Sequence, residues 1–182
     1  YILPTFMRAA KKLQQKYPSL VVYIPSCRRD FDEIFKKSFI KYQVKGHVIS
    51  QKDNANLKPY IYSLTKIALC KSGTVNMELA LHGIPQIVGY RVSRITAFIA
   101  KKILNFKVRF ISPVNLLVNK LIIPEFVQRE FDEKKIFYKS CRIIEEKSQK
   151  IKIKKGYAFL KKELGEEGVV QRAAEEIINS II

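Results

Sequence analysis

The chain is poor in the residues and spacings that announce the commoner enzyme chemistries. It has three cysteines, Cys27, Cys70 and Cys141, far apart, odd in number and without a CxxC pair, which excludes a disulfide framework and a cysteine-based zinc site. Such usage fits a reducing compartment. Its two histidines, His47 and His82, fall at a strand edge and near a helix carboxyl end, where a structural role is expected. There is no HExxH, no nucleophile elbow, no P-loop lysine motif and no GxGxxG, so a zinc protease, a hydrolase of the elbow class, an NTPase and a conventional NAD enzyme are set aside. No apolar run approaches the ~20 residues that span a bilayer, and the opening Tyr-Ile-Leu-Pro-Thr lacks a signal-peptide layout. A soluble or peripheral protein is expected.

Acidic residues are also scarce, 16 against 34 Lys plus Arg, for a net charge of +18. That excess invites nucleic acid, an anionic membrane or a phosphorylated ligand. The basic residues are spread along the chain, however, with no aromatic-interleaved basic motif of the kind that binds single strands. At 182 residues and 47% hydrophobic content, the chain is the size of one ordinary domain with an adequate core.

What is present is a strand-helix-strand unit from Ile67 to Arg91, and the chain is organised around it. Ile67–Cys70 reads as a buried strand, Ser72-Gly73-Thr74 as a tight turn, and Val75, Met77, Leu79, Ala80 and Leu81 as one side of a helix. Gly83 and Pro85 stop that helix, and Gln86–Tyr90 restarts as a strand. Such a crossover is parallel and right-handed, which puts the turn at the carboxyl edge of the sheet, where open α/β folds bind ligands. A helix opening on Ser-Gly-Thr offers free N–H groups, a glycine that permits close approach and two hydroxyls, the makings of a small anion site. Glu78 lies four residues after Thr74 and six after Ser72, whereas a capping box needs three. Two readings stand: a simple cap with Glu78 solvated, or a diphosphate at the turn with Glu78 receiving ribose hydroxyls. Arg91, at the end of the next strand, offers a permanent forked cation to a phosphate or is a surface arginine.

The flanking chain alternates. Helix is expected over Pro4–Lys16, strand over Leu20–Ile24, helix over Asp30–Phe39 with Phe31, Ile34 and Phe35 inward, and strand over His47–Ser50. A loop at Gln51–Asn56 and a helix at Tyr60–Lys66 lead into the central strand. This order predicts an α/β fold with a doubly wound parallel sheet. Beyond Arg91 a helix is expected from Ile95 to about Asn105, a last strand at Arg109–Ile111 and a ligand-side loop at Ser112–Gln128. Helices at Ile136–Lys147 and Gln149–Leu164 and an apolar stripe from Val169 to Ile182 follow.

Ser72-Gly-Thr, Glu78, Pro85, Gly89-Tyr-Arg-Val-Ser93, Thr96, Asn115-Leu-Leu117 and Pro124-Glu125-x-x-Gln128 resemble, in order and spacing, the lipid-A-disaccharide synthase family, glycosyltransferases of the two-Rossmann-domain (GT-B) type. The likeness covers most of the chain and favours the anion-site reading. It implies the carboxyl-terminal portion of such an enzyme: a Rossmann-like UDP-sugar donor-binding domain over residues 1–131, and a helical segment over 132–182 that packs on the partner domain or subunit. The donor-site candidates it implies are Ser72, Gly73, Thr74, Glu78, Arg91, Asn115, Glu125 and Gln128, with no metal and no cofactor. The catalytic residue is expected in an amino-terminal half, so the fragment is expected to be inactive alone. The implied reaction passes 2,3-diacylglucosamine from its UDP conjugate to 2,3-diacylglucosamine 1-phosphate. The implied setting is a homodimer on the anionic inner face of the cytoplasmic membrane, without nucleic acid. Rival readings are another GT-B UDP-sugar enzyme, an epimerase or a lipid-linked glycosyltransferase, and a non-enzymatic basic nucleic-acid module. One departure is that the family reads Ser-Leu-Pro-Asn where this chain has Ser112-Pro113-Val114-Asn115.

Overall fold

The computed structural model describes residues 1–93, 109–165 and 168–181. The chain runs α1 (Leu3–Lys16), β1 (Val22–Pro25), α2 (Arg29–Tyr42), β2 (Gly46–Ile49), α3 (Gln51–Leu64), β3 (Ala68–Lys71), α4 (Val75–Leu81) and β4 (Gln86–Tyr90). It continues with α5 (Pro113–Val118), β5 (Glu125–Val127), a 3-10 turn (Gln128–Glu130), α6 (Glu133–Glu145), α7 (Lys147–Leu164) and α8 (Val169–Ile181). It is an α/β fold in which every described strand pair is parallel, Rossmann-like, with a helical carboxyl-terminal extension.

The hydrogen-bonded ladders divide in two. β1 pairs with β2, Tyr23 opposite His47, and β3, β4 and β5 form a second sheet in that order, with Cys70 opposite Val88 and Gly89 opposite Phe126. Helix α1 packs on both. Met7 and Ala10 join Phe39, Val44 and the side chains of β1 and β2, while Ala9 and Phe6 meet Phe131, Ile136, Leu69 and Phe126. The main core lies on the second sheet, where Ile87, Val88, Val114, Ile123, Ile143 and Leu160 are fully buried.

Several boundaries differ from the sequence expectation, each for a local reason. β1 is half exposed rather than buried, because it has a partner on one side only among the described strands. In α2, Phe39 is the buried aromatic, whereas Phe31 and Ile34 are exposed. The helix continues to Tyr42 and stops where Gln43 takes a left-handed φ of 50°. The expected loop at Gln51–Asn56 is the first half of α3, which accommodates Pro59 in its interior. Arg109–Ile111 is not a strand: the Ile111 N–H goes to the Glu125 carboxylate at 2.8 Å, and the last strand is Glu125–Val127. Pro113 stands in the first turn of α5 with Ser112 as its cap, where a proline's missing N–H costs nothing. The helix expected over Ile95–Asn105, with Thr96, lies outside the described residues.

Helices α6 and α7 cover their own chain: Ile136, Ile143, Ile153, Tyr157 and Leu160 are all buried. In α8, by contrast, every side chain from Gln171 to Ser180 is exposed, Ile177 and Ile178 among them. Among the described residues no helix is long and apolar enough to cross a membrane.

Candidate functional site

The turn after β3 begins with Ser72, whose hydroxyl donates to the Ile111 carbonyl and so fastens the turn to the chain entering α5. The Gly73 N–H is occupied too, donating to Asn76 Oδ1 at 2.8 Å. Thr74 is different. It precedes α4 in helical conformation without a side-chain capping bond, and neither its N–H nor its hydroxyl meets an acceptor among the described residues. A Cβ built on Gly73 meets nothing within 4 Å among the described residues, and its backbone is not left-handed. Neither packing nor backbone strain therefore demands glycine at this position. At Gly46 and Gly89, added Cβ atoms would stand 2.3 Å from the Val22 carbonyl oxygen and 2.1 Å from the Phe131 ring.

Glu78 sits in the first turn of α4, and its carboxylate is paired with the Lys58 ammonium of α3, both side chains about one third exposed, at 36% and 32%. Beside them Tyr62 is pushed up to about 12, first by burial and then by the neighbouring Glu78 charge. Its ring meets that of His82 edge-on at 5.1 Å.

The remaining candidates form a frame around this edge. Glu125 accepts from Ile111 N at 2.8 Å, Ser112 N at 3.0 Å, Ser112 Oγ at 2.7 Å and Asn115 Nδ2 at 2.7 Å. Asn115 is fully buried; its Nδ2 also donates to the Ile123 carbonyl, and its Oδ1 accepts from Ile122 N and Ile123 N. Arg91 stacks on Phe131, 5.2 Å from the ring centroid, and donates to the carbonyls of Gln128, at 3.0 Å, and Phe131. Gln128, which offers that carbonyl, takes a left-handed φ of 52°. The structure thus links the turn to the Ser112–Asn115–Glu125 cluster through Ser72 and Ile111, and Arg91 to Gln128 across adjoining strands β4 and β5.

Sequence reasoning passed over Asn76, Gln86 and Tyr157, which lie buried behind the turn and bond to one another. The available signal was a polar residue inside an apolar run: Asn76 between Val75 and Met77, and Gln86 opening the strand Gln-Ile-Val. Cys70, against this group, is pushed up to about 12 by burial, with Asn76 opposing. Among the described residues no His, Cys, Asp and Glu cluster could hold a metal ion.

A parallel α/β layer whose strand-to-helix turn stands at the carboxyl edge, with donors that meet no acceptor among the described residues, defines a Rossmann-like domain. The chain belongs to the lipid-A-disaccharide synthetase family, whose model it matches over residues 1–181. It is 42% identical over 179 residues to the lipid-A-disaccharide synthase of Prochlorococcus marinus (strain MIT 9313), a match covering 98% of this chain and 46% of that protein. With the synthase of Gloeothece citriformis (strain PCC 7424) it shares 35% over 181 residues, 100% of this chain and 46% of the relative. With that of Myxococcus xanthus (strain DK1622) it shares 30% over 178 residues, 97% and 44%. The chain therefore spans a little under half the length of these relatives.

Proposed function

We propose that the chain is the donor-binding half of a lipid-A-disaccharide synthase, an inverting, metal-independent GT-B glycosyltransferase. The complete protein would pass 2,3-diacylglucosamine from its UDP conjugate to 2,3-diacylglucosamine 1-phosphate and release UDP. The observation that carries this reading is the open space over Gly73, next to the unclaimed Thr74 N–H and hydroxyl and one turn from Glu78. The diphosphate lies over Gly73 and takes the Thr74 donors at the positive end of α4, and Glu78 accepts from the ribose hydroxyls. Asn115 and Glu125 serve the donor by holding the walls of the site, since their polar atoms are spent on backbone groups, on Ser112 and on one another, and Arg91 and Gln128 stand beside it, joined through the Gln128 carbonyl. Negative charge developing on departing UDP is met by donors already in place. The general base that deprotonates the acceptor hydroxyl belongs to the amino-terminal half, so this chain alone binds donor weakly and is inactive.

Residues 1–131 form the donor domain in this reading, and 132–182 the segment directed to a partner domain or a second subunit, with the exposed face of α8 as its contact. A lipid-linked donor places the protein on the anionic inner face of the cytoplasmic membrane, where a net charge of +18 favours attachment.

Titration with UDP tests the donor site. Glu78→Gln is expected to weaken UDP by about 1.5–3 kcal/mol, the range for hydrogen bonds to a charged group. Gly73→Ala is expected to weaken UDP while leaving thermal stability unchanged, because the new methyl meets no atom of the described residues. UDP affinity unaltered by both substitutions would refute the assignment.

A further inference from the structure

Behind the turn runs a relay of directed hydrogen bonds that begins in α7. The Tyr157 hydroxyl donates to the Ile84 carbonyl at 2.9 Å, which commits its proton and leaves its oxygen to accept from Gln86 Nε2 at 3.2 Å. Gln86 Nε2 also donates to the Asn76 carbonyl at 2.9 Å, and Gln86 Oε1 accepts from Asn76 Nδ2 at 3.1 Å. Asn76 Nδ2 faces the Lys71 carbonyl as well, at 3.3 Å, and Asn76 Oδ1 takes the Gly73 N–H. Asn76 and Gln86 are fully buried and Tyr157 is 3% exposed. Turning either amide over would set NH2 against NH2 and oxygen against oxygen, so each has one orientation here.

Stability alone does not account for three polar side chains at these positions. Replacing both partners of a buried hydrogen bond by apolar groups of the same shape is close to neutral. What the relay adds is direction: it turns the Gly73 N–H inward, toward Asn76, and leaves the Thr74 N–H and hydroxyl as the donors on the open side. We propose that Tyr157 is a positioning residue for the Ser72-Gly73-Thr74 turn, acting through Gln86 and Asn76 to fix which groups of that turn meet a diphosphate. This rests on the donor-site reading above. It makes the helical extension part of the site's geometry although Tyr157 touches no ligand.

The experiment titrates the whole chain and its variants with UDP and with uridine, and follows hydrogen exchange of the Gly73 amide by NMR. Tyr157→Phe is expected to weaken UDP by about three- to tenfold, the equivalent of one lost hydrogen bond, to leave uridine affinity unchanged and to speed exchange at Gly73. The pair Tyr157→Phe with Gln86→Met breaks the relay while leaving no glutamine donor unsatisfied, and is expected to act in the same way on UDP affinity and on exchange at Gly73. UDP and uridine weakening in parallel, or UDP affinity unchanged in both variants while Gly73→Ala weakens it, would overturn the positioning role alone. UDP affinity unaltered by both Gly73→Ala and Glu78→Gln overturns the donor-site reading and this inference with it.

Discussion

The two parallel ladders have different interiors. Around β1 and β2 the strand positions alternate between half-buried and exposed until the buried Ile49, and Tyr23, Phe31, Ile34 and Ile40 all show large exposed area. Around β4 the first four positions are fully buried, and the polar groups among them are bonded in sets, Asn115 with Glu125 and Asn76 with Gln86. The candidate site stands on the second ladder. A site whose donors must be aimed before the ligand arrives gains from walls that cannot relax. An apolar interior alone fixes position less strictly than one that also has directional bonds to satisfy.

The largest test of this contrast is Asn115→Leu. It removes a donor from Glu125 and an acceptor from two backbone N–H groups at once, and we expect a loss of about 3–5 kcal/mol from several buried groups left unsatisfied. Ile34→Ala, on the exposed side of the first ladder, should change stability by no more than about 0.5 kcal/mol. Urea unfolding of the two variants measures both, and equal losses would erase the distinction.

Glycine substitutions sharpen it further. Gly89→Ala drives a methyl into the rings of Phe131 and Phe6 and is expected to cost about 1–3 kcal/mol, the usual range for overpacking. A midpoint within error of the parent chain would show that these rings can move aside.

A further effect, seen only at high pH, is carried by a thiol. Cys70 is held at about 12 against an ordinary 9.0, so above pH 9 the unfolded chain sheds this proton while the folded chain keeps it. The unfolded state then binds fewer protons, and stability falls as pH rises, by about 1 kcal/mol per pH unit between 9 and 12. Cys70→Ala should flatten that part of the pH–stability curve. At pH 8 the exposed Cys27 should react with a thiol reagent faster than the half-buried Cys70; equal rates would contradict the difference in exposure between them.

Much of the second ladder was legible in the sequence. Strand, turn, helix, stop and strand from Ile67 to Tyr90 follow from an apolar run, a Ser-Gly-Thr turn and Gly83 with Pro85, but burial departs from the expected pattern: β3 is half-buried rather than buried, and in α4 Asn76 is inside while Val75 and Leu81 are exposed. The first ladder was read less well: Phe31 and Ile34 have the spacing of a core face, yet Phe39 takes the buried place, and only tertiary packing decides between them. Pro59 hid α3, since a proline inside a helix reads as a boundary. The candidate turn and its neighbours were named from the sequence, whereas the buried polar groups behind them were not. A glutamine opening an apolar strand marks a buried polar partner, but nothing in sequence order joins Gln86 to Tyr157, 71 residues away.

Helix α1 has a consequence for how the chain is made. Its contacts with α6 join residues far apart in sequence, as in the bond from Tyr17 to Glu145 at a separation of 128. At ordinary elongation rates of about 5–20 residues per second, the face of α1 bearing Phe6 and Ala9 is synthesised roughly 6–26 s before its partners on α6. The β1–β2 half, whose partners for Met7 and Ala10 appear within the next ~40 residues, has no such wait. On the ribosome the less buried half can therefore assemble first, and the ladder that bears the site closes last.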